Sequence, residues 1–250
     1  MRGSYGAHPR QVGDLWLPDG PADRATDGRL ATVVLVHGGF WRDDYDLTLQ
    51  DAVALDLAER GWLVWNVDYR PSSEPWPATL ADVAAAYDHL RGDDRVDLRR
   101  LAVVGHSAGG HLALWLASRG RLPAGAPGAA PPLPLPALVV AQAPVADLAA
   151  AACLRLGSGA AQALLGGEPA EVPGRLAVAD PLALLPTGVP TVCLHAEGDD
   201  RVPLALSEAY VTAAGQAARL VRVPGGHFEH LDPASQAVRA LRTALEELRR

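Results

Sequence analysis

One serine in this sequence sits where its neighbours equip it for nucleophilic chemistry. Gly105-His106-Ser107-Ala108-Gly109 follows an apolar run, Leu101-Ala102-Val103-Val104, and precedes Gly110-His111-Leu112-Ala113-Leu114-Trp115-Leu116, a stretch that suits a helix. Strand, G-x-S-x-G and helix in that order make a tight, strained turn that lifts a serine above the edge of a sheet. Small residues at 105 and 109 let the strand and the helix pass close together. A serine hydroxyl is a weak nucleophile at its free pKa. It needs a base within hydrogen-bond reach, and that base needs an acceptor to orient it.

With a serine on such a turn, the acid and then the histidine follow along the chain. The acid is sought in His195-Ala196-Glu197-Gly198-Asp199-Asp200-Arg201-Val202-Pro203, just after an apolar run. Asp199 is the candidate, with Asp200 and Glu197 as competitors. At least two of the three must be solvated loop charges. The base is sought in Pro224-Gly225-Gly226-His227-Phe228-Glu229-His230, where two glycines permit a sharp turn. His227 is the candidate and His230 its rival, although the neighbours of His230 look more like the start of a helix. His106 occupies the variable position of the serine turn, where it either packs or touches substrate. His111 lies one turn further and suits packing.

Acyl transfer also needs N–H donors aimed at the developing alkoxide. The amide of Ala108, directly after the serine, is one. The second is expected from the loop after an earlier strand, His37-Gly38-Gly39-Phe40-Trp41, through Gly39 or Phe40. Phe40 and Trp41 are candidates to wall the substrate pocket, and core packing suits Trp41 equally well.

Elements must exist to bring these segments together. Short runs rich in Val and Leu predict parallel strands at 32–37, 62–68, 101–106, 137–142 and 190–195, with a shorter one at 219–223. Residues 12–17 suit an antiparallel edge strand. Helical spacing is expected over 47–60, over 233–250, and through Leu80, Val83, Ala84, Tyr87 and Leu90, with Thr79 and Asp82 as a capping box. Alternating strands and helices predict one α/β domain over residues 1–250, a mostly parallel sheet with helices on both faces and no large separate lid domain. Residues 121–136, rich in Pro, Ala and Gly, predict a surface loop. Residues 147–186 are too long for a simple connection and predict a cap-like insertion of short helices over the carboxyl edge of the sheet.

Composition narrows the chemistry. The chain has 250 residues and a net charge of −7, without long runs of like charge. That disfavours nucleic acid and anionic membranes as partners. No apolar stretch reaches the eighteen or so residues of a membrane span, and the first residues lack an apolar signal core, so a cytoplasmic location is expected. The two cysteines, Cys153 and Cys193, offer neither a metal spacing nor a disulfide framework. There is no lysine, which removes Schiff-base, P-loop and Ser-Lys chemistry.

Taken together, His37-Gly38-Gly39-Phe40-Trp41 and Gly105-His106-Ser107-Ala108-Gly109-Gly110-His111-Leu112 resemble the α/β-hydrolase esterases and lipases. The H-G-G-aromatic-Trp motif is most similar to the arylformamidase (kynurenine formamidase) and feruloyl-esterase-like (BD-FAE-like) branch. Asp68-Tyr69-Arg70 with Glu74-Pro75-Trp76-Pro77-Ala78 is similar to a stretch of the hormone-sensitive-lipase-like esterases. Residues 195–203 resemble their H-G-x-x-D-x-x-V-P pattern, which points to Asp199, and Gly226-His227-Phe228 resembles their base loop. Position 40 departs from the lipase branch, being Phe in place of a third Gly; position 196 is Ala where Gly is usual. The resemblance implies the α/β-hydrolase fold, no metal and no cofactor. It implies a serine hydrolase of small or aryl carboxylic esters, with Ser107, His227 and Asp199 as a triad and a small ester or amide as substrate. The alternatives are an aryl formamidase of the N-formylkynurenine type and a catalytically inactive binding module on the same fold.

Overall fold

A computed structural model of the chain describes residues 1–18, 25, 27–129 and 134–249. In chain order its main elements are β1 (Arg2–Ser4), β2 (Val12–Trp16), β3 (Leu30–Val36), α1 (Asp51–Glu59), β4 (Leu63–Val67), α2 (Ala78–His89), β5 (Val96–His106) and α3 (Ala108–Ala117). There follow β6 (Leu138–Gln142), α4 (Leu148–Cys153), α5 (Ala160–Leu165), α6 (Pro173–Ala179), β7 (Thr191–Ala196), α7 (Leu204–Ala214), β8 (Ala218–Val223) and α8 (Gln236–Leu245). The strands form one sheet in the order β1-β2-β4-β3-β5-β6-β7-β8. The β1/β2 and β2/β4 pairs are antiparallel and every other pair is parallel. This is the expected α/β-hydrolase architecture.

The near-continuous Val and Leu of the inner strands follow from burial on both faces. Side chains alternate across a strand, so Val33 and Leu35 join one apolar layer while Val34 and Val36 join the other. The first layer is closed by Val53, Ala54 and Leu57 of α1 and by Val238, Leu241 and Leu245 of α8. Leu80, Val83 and Tyr87 of α2 and Leu112 and Trp115 of α3 close the second.

Several local expectations shift. β1 has no counterpart among the predicted strands, and it pairs Arg2 with Asp14 both across the ladder and by a 2.7 Å ion pair. Thr79 and Asp82 do not form a capping box. Thr79 is already helical and its hydroxyl donates to the Arg70 carbonyl at 2.7 Å, while the buried Asp82 carboxylate accepts from the Arg70 guanidinium at 2.6 Å. The last helix begins after 233, at Gln236, with Ser235 capping it by accepting from the Val238 amide. Of the predicted loop 121–136, residues 130–133 lie outside the described residues, as does Arg250 of the predicted last helix. Within 147–186 stand the three short helices α4, α5 and α6. Among the described residues, no helix is long and apolar enough to cross a membrane.

Because β3, β5, β6, β7 and β8 run parallel, the loops that leave them gather at one sheet edge, where open α/β sheets place their ligands. At the turn between β5 and α3, the close approach of chain segments demands glycine. A Cβ added to Gly105 would lie 2.0 Å from the Gly109 carbonyl oxygen, and one added to Gly109 would lie 2.0 Å from that of Val36. Alanine in place of a helical glycine normally gains about 1 kcal/mol. Here the clash with fixed backbone overrides that gain. Gly109→Ala is expected to destabilise the protein by about 2 kcal/mol, read as a lowered denaturation midpoint; a midpoint equal to or above that of the parent would refute the close packing.

Candidate active site

Ser107 stands between β5 and α3 with φ +59° and ψ −117°, a strained conformation for a residue with a side chain. Its backbone is fixed on every side. Its amide donates to the Gln142 carbonyl at 2.7 Å, and its carbonyl accepts from His111 at 3.1 Å and Val145 at 3.3 Å. Ala108 is the first helical residue of α3. The first amides of a helix have no partner within it and carry its positive dipole end.

The loop after β3 is held in an equally unusual shape. Gly39, Phe40 and Trp41 all have positive φ, at 105°, 51° and 56°. Neighbours over-determine that shape. His37 stacks on Tyr69 with ring centroids 4.2 Å apart, Tyr69 Oη donates to the His37 carbonyl at 2.8 Å, and His37 Nε2 lies 3.1 Å from Asp68. The Asp68-Tyr69 segment thus braces the Gly39 loop. Trp41 is the anchor, 1% exposed within the core and edge-on to His111 at 5.2 Å. It does not wall the cleft, which corrects the pocket expectation for this residue: an indole of that size fills the space beneath the loop, and Phe40 takes the exposed side.

Asp199 follows β7. Its Oδ1 accepts from the amides of Arg201 at 2.8 Å and Val202 at 2.9 Å, and its Oδ2 lies 2.7 Å from His227 Nδ1. His195 Nε2 is 3.4 Å from the same Oδ2. The side chain is buried. Burial pushes its pKa up, but hydrogen bonds from His195, His227 and the Val202 amide together outweigh it and hold the carboxyl well below the ordinary range. The competitors are elsewhere: Asp200 is 75% exposed beside Arg201, and Glu197 is exposed. His230 also falls away from Asp199. It is buried, with Nδ1 3.4 Å from the Gln142 side chain.

His106 and His227 are linked as well. His106 Nε2 donates to the His227 carbonyl at 2.9 Å and the two rings stand 4.6 Å apart. The residue at the variable position of the serine turn therefore also ties that turn to the histidine loop. Its Nδ1 has no hydrogen-bond partner among the described residues.

A cleft of about 310 Å³ joins these parts. Ser107, His106, His227, Gly39 and Phe40 line it; Ala108 and Asp199 lie behind, fully or largely buried. Sequence reasoning missed the rest of the lining, namely Arg42, Tyr45, Leu49, Gly157, Ser158, Arg201 and Phe228. Arg201 and Phe228 adjoin motif residues, which was the available signal. Gly157 and Ser158 come from the 147–186 segment, where Phe40 packs on Gly157 and Arg42 donates to its carbonyl. His195 was also missed as a partner of Asp199; its place at the end of β7 is the signal. The buried Asp199 carboxylate thus meets the His227 imidazole, and that ring lines the same cleft as Ser107.

Burial lowers the pKa of three histidines near the cleft, His106, His111 and His230. It pushes His111 down to about 4 and, with His195 and His227 adding, His230 down to about 3. It also lowers His106 well below its ordinary value, with His227 and His230 reinforcing the shift. Each must protonate on unfolding below about pH 6.5, so its stabilisation is whole above that value and is lost as pH falls toward the folded one. Asp180, pushed up to about 6 by burial and then by Asp147, acts in the opposite sense and recovers some stability below pH 6. After that offset, His111 and His230 alone should cost the fold about 2 kcal/mol between pH 7 and pH 5, and His106 adds to the loss. Urea denaturation at the two pH values measures it; equal stability at both would contradict neutral burial.

The BD-FAE family model matches residues 14–213 of this chain. The chain belongs to the BD-FAE family. One curated relative is esterase LipI of Mycobacterium tuberculosis, 38% identical over 122 residues, a match that covers 45% of this chain and 35% of that protein. This match thus spans only about a third of the relative's length. Among solved structures, a truncated carbohydrate esterase from gut microbiota has a TM-score of 0.80 at 20% identity, covering 99% of this chain and 95% of its own. Esterase B from Lactobacillus rhamnosis has a TM-score of 0.80 at 21% identity, covering 99% and 84%. A thermophilic esterase from Thermogutta terrifontis has 0.72 at 21%, covering 99% and 91%. These likenesses show that this BD-FAE family chain has the fold of the α/β-hydrolase esterases.

Proposed function

We propose that the protein is a serine hydrolase that cleaves carboxylic esters of small or aryl substrates. The observation that carries this is the 2.7 Å contact between His227 Nδ1 and the buried Asp199, on a ring that lines the same cleft as Ser107. With Nδ1–H held by the carboxylate, Nε2 is the ring's free acceptor. It takes the Ser107 proton as Oγ attacks the ester carbonyl, and the ionised Asp199 stabilises the imidazolium. The amides of Ala108 and of Gly39 or Phe40 receive the developing oxyanion. The protonated His227 then gives its proton to the departing alcohol, leaving an acyl-enzyme. Water attacks that ester with His227 again as base, and Ser107 is released with the acid. The reaction needs no cofactor.

Family membership, the name of the LipI relative and the names of the solved esterases support the ester reading. A cleft of about 310 Å³ edged by Phe40, Tyr45 and Phe228 suits a small or aromatic substrate. The test is a fluorophosphonate probe combined with turnover of phenyl acetate and N-formylkynurenine. Labelling of Ser107 with faster phenyl acetate turnover supports the proposal. Faster formylkynurenine turnover supports an aryl formamidase, and a folded protein that takes no label is a binding module.

A further inference from the structure

We propose that this cleft selects esters that carry a carboxylate, through Arg42 and Arg201 at its mouth; the inference rests on the ester-hydrolase reading above. Arg42 and Arg201 are the only arginines among the cleft's lining residues, and no Asp or Glu lines it among the described residues. The chain as a whole has 29 acidic and 22 basic residues, for a net charge of −7. A lining that holds two cations and no carboxylate runs against that balance.

Each of the two exposed guanidinium groups stands beside an aromatic ring of the cleft. Arg42 Cζ lies 6.0 Å from the centroid of Phe40, and Arg201 Cζ lies 6.0 Å from that of Phe228, and both rings line the same cleft. A ring at that range attracts a guanidinium weakly and biases it toward the cleft, where its planar fork can meet a planar anion. The two come from different segments, Arg42 beside the Gly39 loop and Arg201 beside Asp199. Among the described residues, neither charge is cancelled in a buried pair. Arg42 donates to the neutral Gly157 carbonyl, and Arg201 has only the 75% exposed Asp200 at 3.4 Å. An exposed pair of that kind is weak and exchanges readily for a carboxylate that accepts two N–H bonds. The aromatic rings would hold the uncharged part of such a substrate.

Two matched pairs of esters test this. In 4-acetoxybenzoate against methyl 4-acetoxybenzoate, the carboxylate is on the alcohol portion; in mono-4-nitrophenyl adipate against 4-nitrophenyl hexanoate, it is on the acyl portion. The readout is the ratio of kcat/KM for the charged ester to that for the neutral one. Intrinsic differences between the esters cancel when this ratio is compared across proteins. Arg201→Gln and Arg42→Gln should each lower it about three- to tenfold in at least one pair, chiefly through KM, with a smaller effect at 0.5 M salt. Arg201→Lys should restore part of it. Arg222→Gln, on β8, removes an equal charge from an exposed pair with Glu208 of α7 and should leave the ratio unchanged. The pair that responds tells which portion of the substrate bears the anion. Turnover of the esters with a ratio unchanged in both glutamine variants, or lowered equally by Arg222→Gln, overturns the selection alone. No turnover of any of the four overturns the ester-hydrolase reading and this inference with it.

Discussion

Ser107→Ala will fold like the parent and hydrolyse short 4-nitrophenyl esters four to six orders of magnitude more slowly. The residue is 2% exposed, and the segment's conformation is held by its backbone, whose amide and carbonyl bond Gln142, His111 and Val145 whatever stands at Cβ. Alanine keeps that Cβ and its strain at φ +59°, so little stability should change. What disappears is the oxygen that, in the proposed mechanism, forms the acyl-enzyme. The proposed oxyanion donors and the cleft remain, so a residual rate above that of water is expected. Circular dichroism and steady-state kinetics on one preparation check both halves. Folded Ser107→Ala with turnover within tenfold of the parent would remove the nucleophile from the mechanism.

Asp199→Asn should lower kcat about 10⁴-fold, nearly as much. The amide has the same shape, and its carbonyl oxygen can still accept from the Arg201 and Val202 amides that shape the turn. It cannot hold Nδ1–H of His227 as a carboxylate does. An amide nitrogen facing Nδ1 favours the wrong tautomer, with the proton on Nε2, where the serine needs an acceptor. The ionised state of Asp199 also matters. Hydrogen bonds hold its carboxyl so far below the ordinary range that it should stay charged throughout the working pH range. Asp200→Asn is the companion measurement. That side chain is 75% exposed and, among the described residues, pairs only with Arg201, so its kcat on a neutral ester should stay within about threefold of the parent. A larger loss at 200 than at 199 would reverse the assignment.

Much of the fold was legible because its signals are local. Val- and Leu-rich runs between turn residues mark strands covered on both faces, and the structure has strands at all seven predicted positions. Edges were less legible. The three-residue β1 is too short to show a period, and Thr79 and Asp82 had the right spacing for a cap but were claimed by Arg70 from a different segment. At the candidate site, the turn around Ser107 could be read because glycines at 105 and 109 are needed wherever backbone passes at such short range. The role of Trp41 could not. Nothing in its neighbours tells whether an indole after a glycine pair turns into the core or into a cleft, and packing against α3 settled it.

The sequence by itself determined the α/β class, the tight serine turn, and the two loops in which an acid and a base are expected. Those depend on glycine tolerance and side-chain periodicity, which act over a few residues. Only the tertiary structure decided which of three neighbouring carboxylates meets His227, that His106 grips the His227 carbonyl across 121 positions of chain, and that Arg42 and Arg201 share one cleft. Such contacts join segments far apart along the chain. Their geometry is set by how the whole sheet and its helices pack, and that information is spread over every buried residue rather than carried by the ones that touch.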